Sequence, residues 1–390
     1  PISAQMLTRL GSAVALAIAG GILLWRWRRR ATSVLTARSL PAAPRAPSRS
    51  SASARTDWLS AAVGERRYIR FYAASESSTR AAEAWVPRAE DVWIGTYSKS
   101  GTTLVQMVVE MLRSRGDVGF EEITEVQPWL DFCHDISVDP DDPQGQRGLQ
   151  PRCFKSHQLP AALNRPARLL SVVRHPEEVC KSYYSFYVAK DHPFARGKTL
   201  DEWAFSWAEQ GASNGPIWEY YVQLWKCREA TAVSRNDLSR AERRRAMSSA
   251  PFLLLEYRNL VSDLHSHAHR IAWWLNQGEA EGGVDTSEEN VSRAVHLSSL
   301  QNMSGPLASK FDDHWLYERQ VAAGCKYVMQ SASKAVDRAQ REARPELSSE
   351  AKEMLQRMWS EHVAPRTGLS NYSDMAELLK MDHAVWSPVE

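Results

Sequence analysis

The stretch Asp91 to Thr103, DVWIGTYSKSGTT, decides how the rest of the chain is read. Asp91 to Thr96 is a short apolar run ending in turn-prone residues, and from Thr102 to Arg115 (TTLVQMVVEMLRSR) apolar residues return at helical spacing with Arg near the end. Strand, tight loop, helix is the expectation. In the loop, Tyr97-Ser98-Lys99-Ser100-Gly101-Thr102-Thr103, a small Gly-containing turn lets several backbone N–H groups face one anion, and the helix N-terminus adds about half a positive charge. Lys99 and the two Thr hydroxyls are further donors. The order differs from that of the nucleoside triphosphatases, where GK and Ser or Thr close a GxxxxG loop; here Lys99 precedes Gly101 by two positions, which weighs against a phosphotransferase. Taken alone, SGTT reads equally well as a capped helix after a Ser-rich turn.

Working outward, a second unit repeats the pattern. Arg168 to Val173 (RLLSVV) reads as a buried strand, Arg174-His175-Pro176 as a turn, and Glu177 to Val188 as a helix with Pro176 at its first position. Arg152 to His157 (RCFKSH) and Phe252 to Glu256 (FLLLE) supply two more strands, and Asp201–Ala212, Ile217–Ala230, Leu260–Gln277 and Leu347–Val363 read as amphipathic helices. Apolar runs alternating with helical periods imply an α/β fold with a central, largely parallel sheet flanked by helices, its Trp residues in the core.

Composition sets the bounds. With 390 residues, 43% hydrophobic, 24% charged and 15 Trp, the chain buries a sizeable core, which excludes wholesale disorder and fibrous repeats. Net charge is +2, but residues 1–56 hold nine Arg and no acid, leaving 39 basic against 46 acidic residues and a body near −7. An acidic body argues against nucleic acid as a partner. The five cysteines, Cys133, Cys153, Cys180, Cys227 and Cys325, are odd in number and widely spaced, without a CxxC pair, and read as reduced thiols.

Three segments resemble, in order and spacing, the sulfotransferases that use 3′-phosphoadenosine 5′-phosphosulfate (PAPS). TYSKSGTT at 96–103 is similar to the family's TYPKSGTT, RCFKSHQLP at 152–160 to RxxKTHLP, and RLLSVVRHPEEVCKSYYSFY at 168–187 to VxRNPKDVAVSYYHF. LLLEYRNL at 253–260 and SSLQNM at 298–303 resemble two further family stretches, and the likeness spans roughly residues 85–370. The resemblance implies a P-loop-like three-layer fold and transfer of a sulfuryl group from PAPS to a hydroxyl or amine acceptor. It implies that Ser100, Gly101, Thr102 and Thr103 bind the 5′-phosphosulfate and that Lys99 neutralises the bridging oxygen of the leaving group. Lys155 would help hold the transferring group, and His157 would be the general base, a role that suits imidazole at neutral pH. Arg174 and Ser182 would hold the 3′-phosphate, with Ser182 also able to touch Lys99; Tyr257 would contact adenine and Ser298 the nucleoside. No metal is required by this chemistry.

The sequence departs from the family at several positions. Ser98 replaces the usual Pro, Leu104 stands where many members have Trp, and Leu300 where they often have Phe. The RKG motif for the 3′-phosphate is absent; Ser309–Leu316 (SKFDDHWL) and Ser333-Lys334 with Arg338 look like the bacterial and algal branches, which nominates Lys334 and Arg338, although a solvated helix face accounts for both equally well. Trp129, Phe132, Phe186 and Tyr187 are candidate pocket walls for a small-molecule or glycolipid acceptor. Arg235 to Arg245 reads as a solvated helix, with a membrane surface as an alternative partner.

The first 57 residues form an appendage. Leu10 to Trp25 are sixteen uncharged residues followed by Arg26, Arg28, Arg29 and Arg30, short of the ~17 to 25 of a spanning helix. Residues 1–30 are expected to be a membrane anchor or targeting segment, 31–57 a flexible linker and 58–390 the catalytic domain. If residues 10–25 span, the Arg flank keeps the domain on the cytosolic side; the rival is a transit peptide for plastid or mitochondrion, rich in Arg, Ser and Ala. Oligomeric state is left open. The contrasting hypothesis is a non-catalytic, membrane-tethered nucleotide-binding or scaffold module of the same fold.

Overall fold

Four short strands carry the apolar runs: β1 (Val92–Gly95), β2 (Cys153–Ser156), β3 (Arg168–Val173) and β4 (Phe252–Glu256). The computed structural model describes residues 73–163, 167–211, 215–232, 239–276, 283–331 and 345–386. All strand pairs are parallel, in the order β2-β1-β3-β4, with Val92 opposite both Cys153 and Arg168 and Leu169 opposite Phe252. Every strand residue is buried, as a parallel sheet covered on both faces requires. Side chains alternate between two cores. Trp93, Phe154, Leu169, Val173, Phe252 and Leu254 join one cluster, and Val92, Ile94, Cys153, Leu170, Val172, Leu253 and Leu255 the other, which makes three layers.

In chain order the helices are α1 (Glu76–Ala84), α2 (Thr102–Ser114), α3 (Ile123–Val126), α4 (Leu130–Cys133), α5 (Pro176–Ala189), α6 (Leu200–Gln210), α7 (Ile217–Thr231), α8 (Arg240–Ser248), α9 (Tyr257–Ser262), α10 (Leu264–Asn276), α11 (Glu288–Leu297), α12 (Leu300–Ser304), α13 (His314–Ala322), α14 (Ser349–His362), α15 (Ala364–Thr367) and α16 (Tyr372–Ala384). The two layers differ in chemistry. Against one sheet face, α5, α6, α7, α14 and α16 pack Tyr183, Trp203, Trp207, Trp218, Tyr220, Tyr221, Trp359 and Tyr372. Against the other, α2, α10 and α11 pack mostly aliphatic residues such as Val105, Val109, Leu112, Ile271 and Val291. Ten of the twelve described Trp residues are buried, in keeping with their expected place in the core.

All four predicted strands and the helix after Pro176 form, with Pro176 at the first position of α5. Two expectations are corrected. The single helix expected over 260–277 is two, because Asp263 (φ −136°, ψ 62°) ends α9 while its carboxylate accepts from the Ser266 N–H in the first turn of α10 (3.2 Å). The Arg-rich segment is more than a solvated helix. Arg244 donates to the carbonyls of Val385 (2.6 Å) and Trp386 (3.2 Å), and Arg240 to Val385 (3.1 Å), so the pair caps the C-terminal end of α16. All five cysteines are free thiols. Among the described residues no helix is long and apolar enough to cross a membrane; the expected anchor at 10–25, the linker at 31–57 and the domain boundary at 58 lie outside them.

Strand order places the site. β1 runs first, β2 pairs on one side of it and β3 on the other, so the crevice beyond the carboxyl end of β1 is a topological switch point, where open parallel sheets bind ligands. Gly95 lies opposite Ser156, and Val173 opposite Glu256. The residues that follow the four strands, the 96–103 loop, His157, Arg174 and Tyr257, therefore emerge from one edge.

Candidate functional site

The loop is held open by two positive-φ residues, Lys99 (φ 70°) and Gly101 (φ 116°). Gly101 is required twice over. Its φ suits glycine, and a Cβ there would stand 2.7 Å from Tyr257 Cδ2, so the loop backbone lies directly on the Tyr257 ring. Gly101 caps α2 with no side-chain hydrogen bond, and no acid occupies the first turn of α2. The first N–H groups of a helix have no partner within it, so those of Thr102 and Thr103 suit an external anion. Thr102 Oγ1 is hydrogen-bonded to Thr96 Oγ1, which ties the helix start to the end of β1. Ser100 N–H closes the turn on the Tyr97 carbonyl (3.1 Å). Tyr97 anchors the loop below: it is buried, donates to the Gly215 carbonyl (2.9 Å) and packs edge-on against Tyr183, Trp207 and Tyr220.

β2 delivers Lys155 and His157 beside this loop. His157 is buried, its Nδ1 2.8 Å from the Thr96 carbonyl. A carbonyl only accepts, so Nδ1 carries the proton and a neutral ring has its lone pair on Nε2. Lys155 Nζ rests 3.7 Å from the centre of the Trp129 ring, and the same indole meets His157 edge-on at 5.1 Å. Asp131 fixes that indole, accepting from Trp129 Nε1 at 3.0 Å and from Gln158 Nε2 at 2.9 Å. Lys99 Nζ sits 4.0 Å from the centre of the Phe186 ring, one turn beyond Ser182 on the same face of α5. Ser182, expected to touch Lys99, lies one turn before the ring on which the ammonium rests. Both ammonium groups lie on π faces, which hold charge in a partly desolvated place. Upstream, buried Arg152 binds both carboxylate oxygens of Asp91 (2.8 and 2.6 Å) and so registers β2 against β1.

Arg174, following β3, reaches back to the loop. Its NH1 donates to the Lys99 carbonyl (3.0 Å), its Nε to Glu178 (3.0 Å), and its guanidinium lies 4.4 Å over the Tyr257 ring. Glu178 also accepts from Arg258 (2.7 Å). Burial pushes the Glu178 carboxyl up, but the charge and hydrogen bonds of Arg174 and Arg258 win and hold it below the usual range. Tyr221 donates to the Arg174 carbonyl (2.6 Å). Arg174, Glu178, Lys181, Tyr257, Arg258, Val261 and Ser262 line one cavity of about 370 Å³, three cations around one acid.

The structure thus brings Lys99, Ser100, Gly101, Thr102, Thr103, Lys155, His157, Arg174 and Tyr257 to one edge, with Ser182 buried on the adjoining helix. Ser298 stands apart: it caps the C-terminal end of α11, and its neighbour Leu297 packs against Gly116, past the far end of α2. Its buried Oγ has no hydrogen-bond partner among the described residues. Lys310 of the SKFDDHWL stretch is committed to the Phe120 carbonyl. Ser333, Lys334 and Arg338 lie outside the described residues. Of the four nominated walls, Trp129 and Phe186 seat the lysines. Phe132 is fully buried against Trp129, and Tyr187 is stacked on His192 at 4.1 Å. Leu104 is half-buried and Leu300 exposed, so neither position supplies a ring. Glu178 was legible four residues after Arg174; Arg258 and the roles of Trp129 and Phe186 were missed, because each comes from a separate segment.

The chain was compared with known proteins on this footing. Residues 89–363 match the family model described as sulfotransferase domain. Mouse sulfotransferase 4A1 is 30% identical over 232 residues, covering 55% of this chain and 70% of the relative. Bovine sulfotransferase 1A1 is 32% identical over 249 residues, covering 60% and 72%. A crystal structure of a mouse sulfotransferase complexed with PAP superposes with a TM-score of 0.50 at 14% identity, over 81% of this chain and 97% of that one. Retinol dehydratase in complex with retinol and PAP does so with 0.50 at 15%, over 74% and 86%. At such identities these two structures speak for the fold. Together with the matched domain and the curated relatives, the strand-edge geometry leads to one assignment: the chain belongs to the sulfotransferase family, as an enzyme of its PAPS-dependent class.

Proposed function

We propose that the enzyme transfers the sulfuryl group of PAPS to a hydroxyl or amine acceptor by in-line displacement, with His157 as general base. The observation that carries this reading is the hydrogen bond from His157 Nδ1 to the Thr96 carbonyl, which aims the proton-accepting nitrogen from the strand next to the anion loop. The acceptor oxygen or nitrogen forms a bond to sulfur while the bond from sulfur to the bridging phosphate oxygen breaks. The acceptor's proton passes to His157 Nε2, and adenosine 3′,5′-bisphosphate (PAP) leaves with the electron pair. Lys99 and the N–H groups at the start of α2 stabilise the charge growing on the bridging oxygen, and Lys155 that on the sulfuryl oxygens. Arg174 and Ser182 hold the 3′-phosphate, Arg174 exchanging its bond to Glu178 for bidentate contacts to the phosphate; Tyr257 contacts adenine.

In His157→Ala, turnover of PAPS with a phenolic acceptor is expected to fall about 10²- to 10⁴-fold, with PAP affinity within threefold of the parent. Undiminished turnover would sink the general-base assignment. The contrasting scaffold reading finds no support in the site, since Lys99, Lys155, His157 and Arg174 are retained at one strand edge and Ser182 on the adjoining helix. We further propose that residues 10–25 tether the domain to a membrane, facing the cytosol, on the strength of the uncharged run and its Arg flank. Membrane fractionation of the full chain against one lacking 1–30 tests this; equal recovery in the soluble fraction would refute it.

A further inference from the structure

Away from the strand edge, the start of α10 and the start of α11 bring three ligand-bearing side chains together. His265 and His269 are one turn apart and share a face of α10, their ring centres 5.0 Å apart. His267, between them, turns inward and stacks on buried His383. From the first turn of α11, Glu288 reaches across to both outward rings: Oε1 is 2.7 Å from His265 Nε2 and Oε2 is 2.8 Å from His269 Nε2. Ligand atoms from the three side chains all lie within 4.8 Å of one another. Ser292, one turn further along α11, donates to Glu288 Oε1 (2.8 Å) and orients the carboxylate.

We propose that His265, His269 and Glu288 form a Zn²⁺ site that clips α10 to α11, with solvent completing the coordination. Two imidazoles and one carboxylate are a borderline donor set that suits Zn²⁺, whereas Mg²⁺ and Ca²⁺ take oxygen ligands. Tetrahedral coordination with metal–nitrogen bonds of ~2.0–2.1 Å puts ligand atoms about 3.3 Å apart. The two histidine–carboxylate separations, 2.7 and 2.8 Å, must therefore open by about half an ångström. The ion has access, since His265 and Glu288 are exposed and His269 is partly so. On binding, each Nε2 gives its lone pair to the metal in place of its hydrogen bond, and the ring proton moves to Nδ1. The Glu288 carboxyl, held down to about 2 by hydrogen bonds from His269, Ser292 and His265, is already ionised at neutral pH. The clip bears on the fold around the site, because α11 packs on α2: Asn290 Nδ2 donates to the Leu112 carbonyl (3.0 Å), and α2 carries the anion loop at its other end. The expectation of a metal-free reaction concerns the transfer chemistry and is separate from this cluster.

The experiment is calorimetric titration of the tag-free full chain with ZnCl₂, paired with the visible absorption of Co²⁺ as a probe of low coordination number. One ion per chain is expected, with affinity at least tenfold lower in His269→Ala and in Glu288→Gln, and a Zn²⁺-dependent rise in melting temperature that both variants lose. Glu288→Gln leaves both histidines in place and serves if a His variant fails to fold. No binding to the parent chain would overturn the proposal. So would an unchanged affinity in the His265→Ala, His269→Ala double variant, since that would place the ion elsewhere.

Discussion

The two ends of the anion loop hold their positive charge in different ways. At the transfer end, Lys155 lies on Trp129 and Lys99 on Phe186, at 3.7 and 4.0 Å from the ring centres. At the other end Arg174 is ion-paired with Glu178, which also binds Arg258. A ring face stabilises an ammonium by its quadrupole and supplies no full counter-charge of its own. A carboxylate partner fixes the geometry of a guanidinium but competes with any phosphate that binds it. The difference is that between groups whose work is done in the transition state and groups whose work is done in binding.

If that division is right, substitutions at the two ends should separate in kinetics. Lys99→Ala should have the largest effect, lowering kcat about 10²- to 10³-fold, as for a removed oxyanion-type donor, while PAP affinity changes far less; steady-state kinetics beside calorimetry checks the split. An equal loss in both would merge the two ends. Gly101→Ala strikes where they join. A positive φ and the approach to Tyr257 make it strained by about 1–3 kcal/mol. Thermal melts should show a destabilised protein, and Tyr257→Ala in the same chain should recover only the steric part. Full recovery would mean that the backbone angle carries no cost. The smallest effect belongs to Glu178→Gln, which removes the competitor for Arg174 and should tighten PAP binding by about threefold or less, ~0.7 kcal/mol. A tenfold weakening would instead show that Glu178 aligns Arg174 for the phosphate.

The transfer end was the more legible in sequence. A strand, a Gly-containing turn and a helix are contiguous, so DVWIGTYSKSGTT carries its own geometry, and parallel pairing then sets Lys155 and His157 beside it. The rings under the lysines were named only as pocket walls. Their function depends on where the turn before α4 and one face of α5 meet the sheet, and no local pattern records that. At the binding end, Arg174 was named from the resemblance and Glu178 stands four residues on, but Arg258 comes from the first turn of α9 and joins them through the pairing of β3 with β4. The Asp263 break was missed because an amphipathic pattern continues across it while one side chain caps the next helix.

The division between the two ends is tested most directly by calorimetric titration of PAP, with adenosine 5′-monophosphate beside it, into the parent chain, Arg174→Ala and His157→Ala. The parent and His157→Ala should agree within threefold and prefer PAP at least tenfold, ~1.4 kcal/mol, and Arg174→Ala should lose that preference. Loss of PAP binding in His157→Ala with the preference intact in Arg174→Ala would contradict the account.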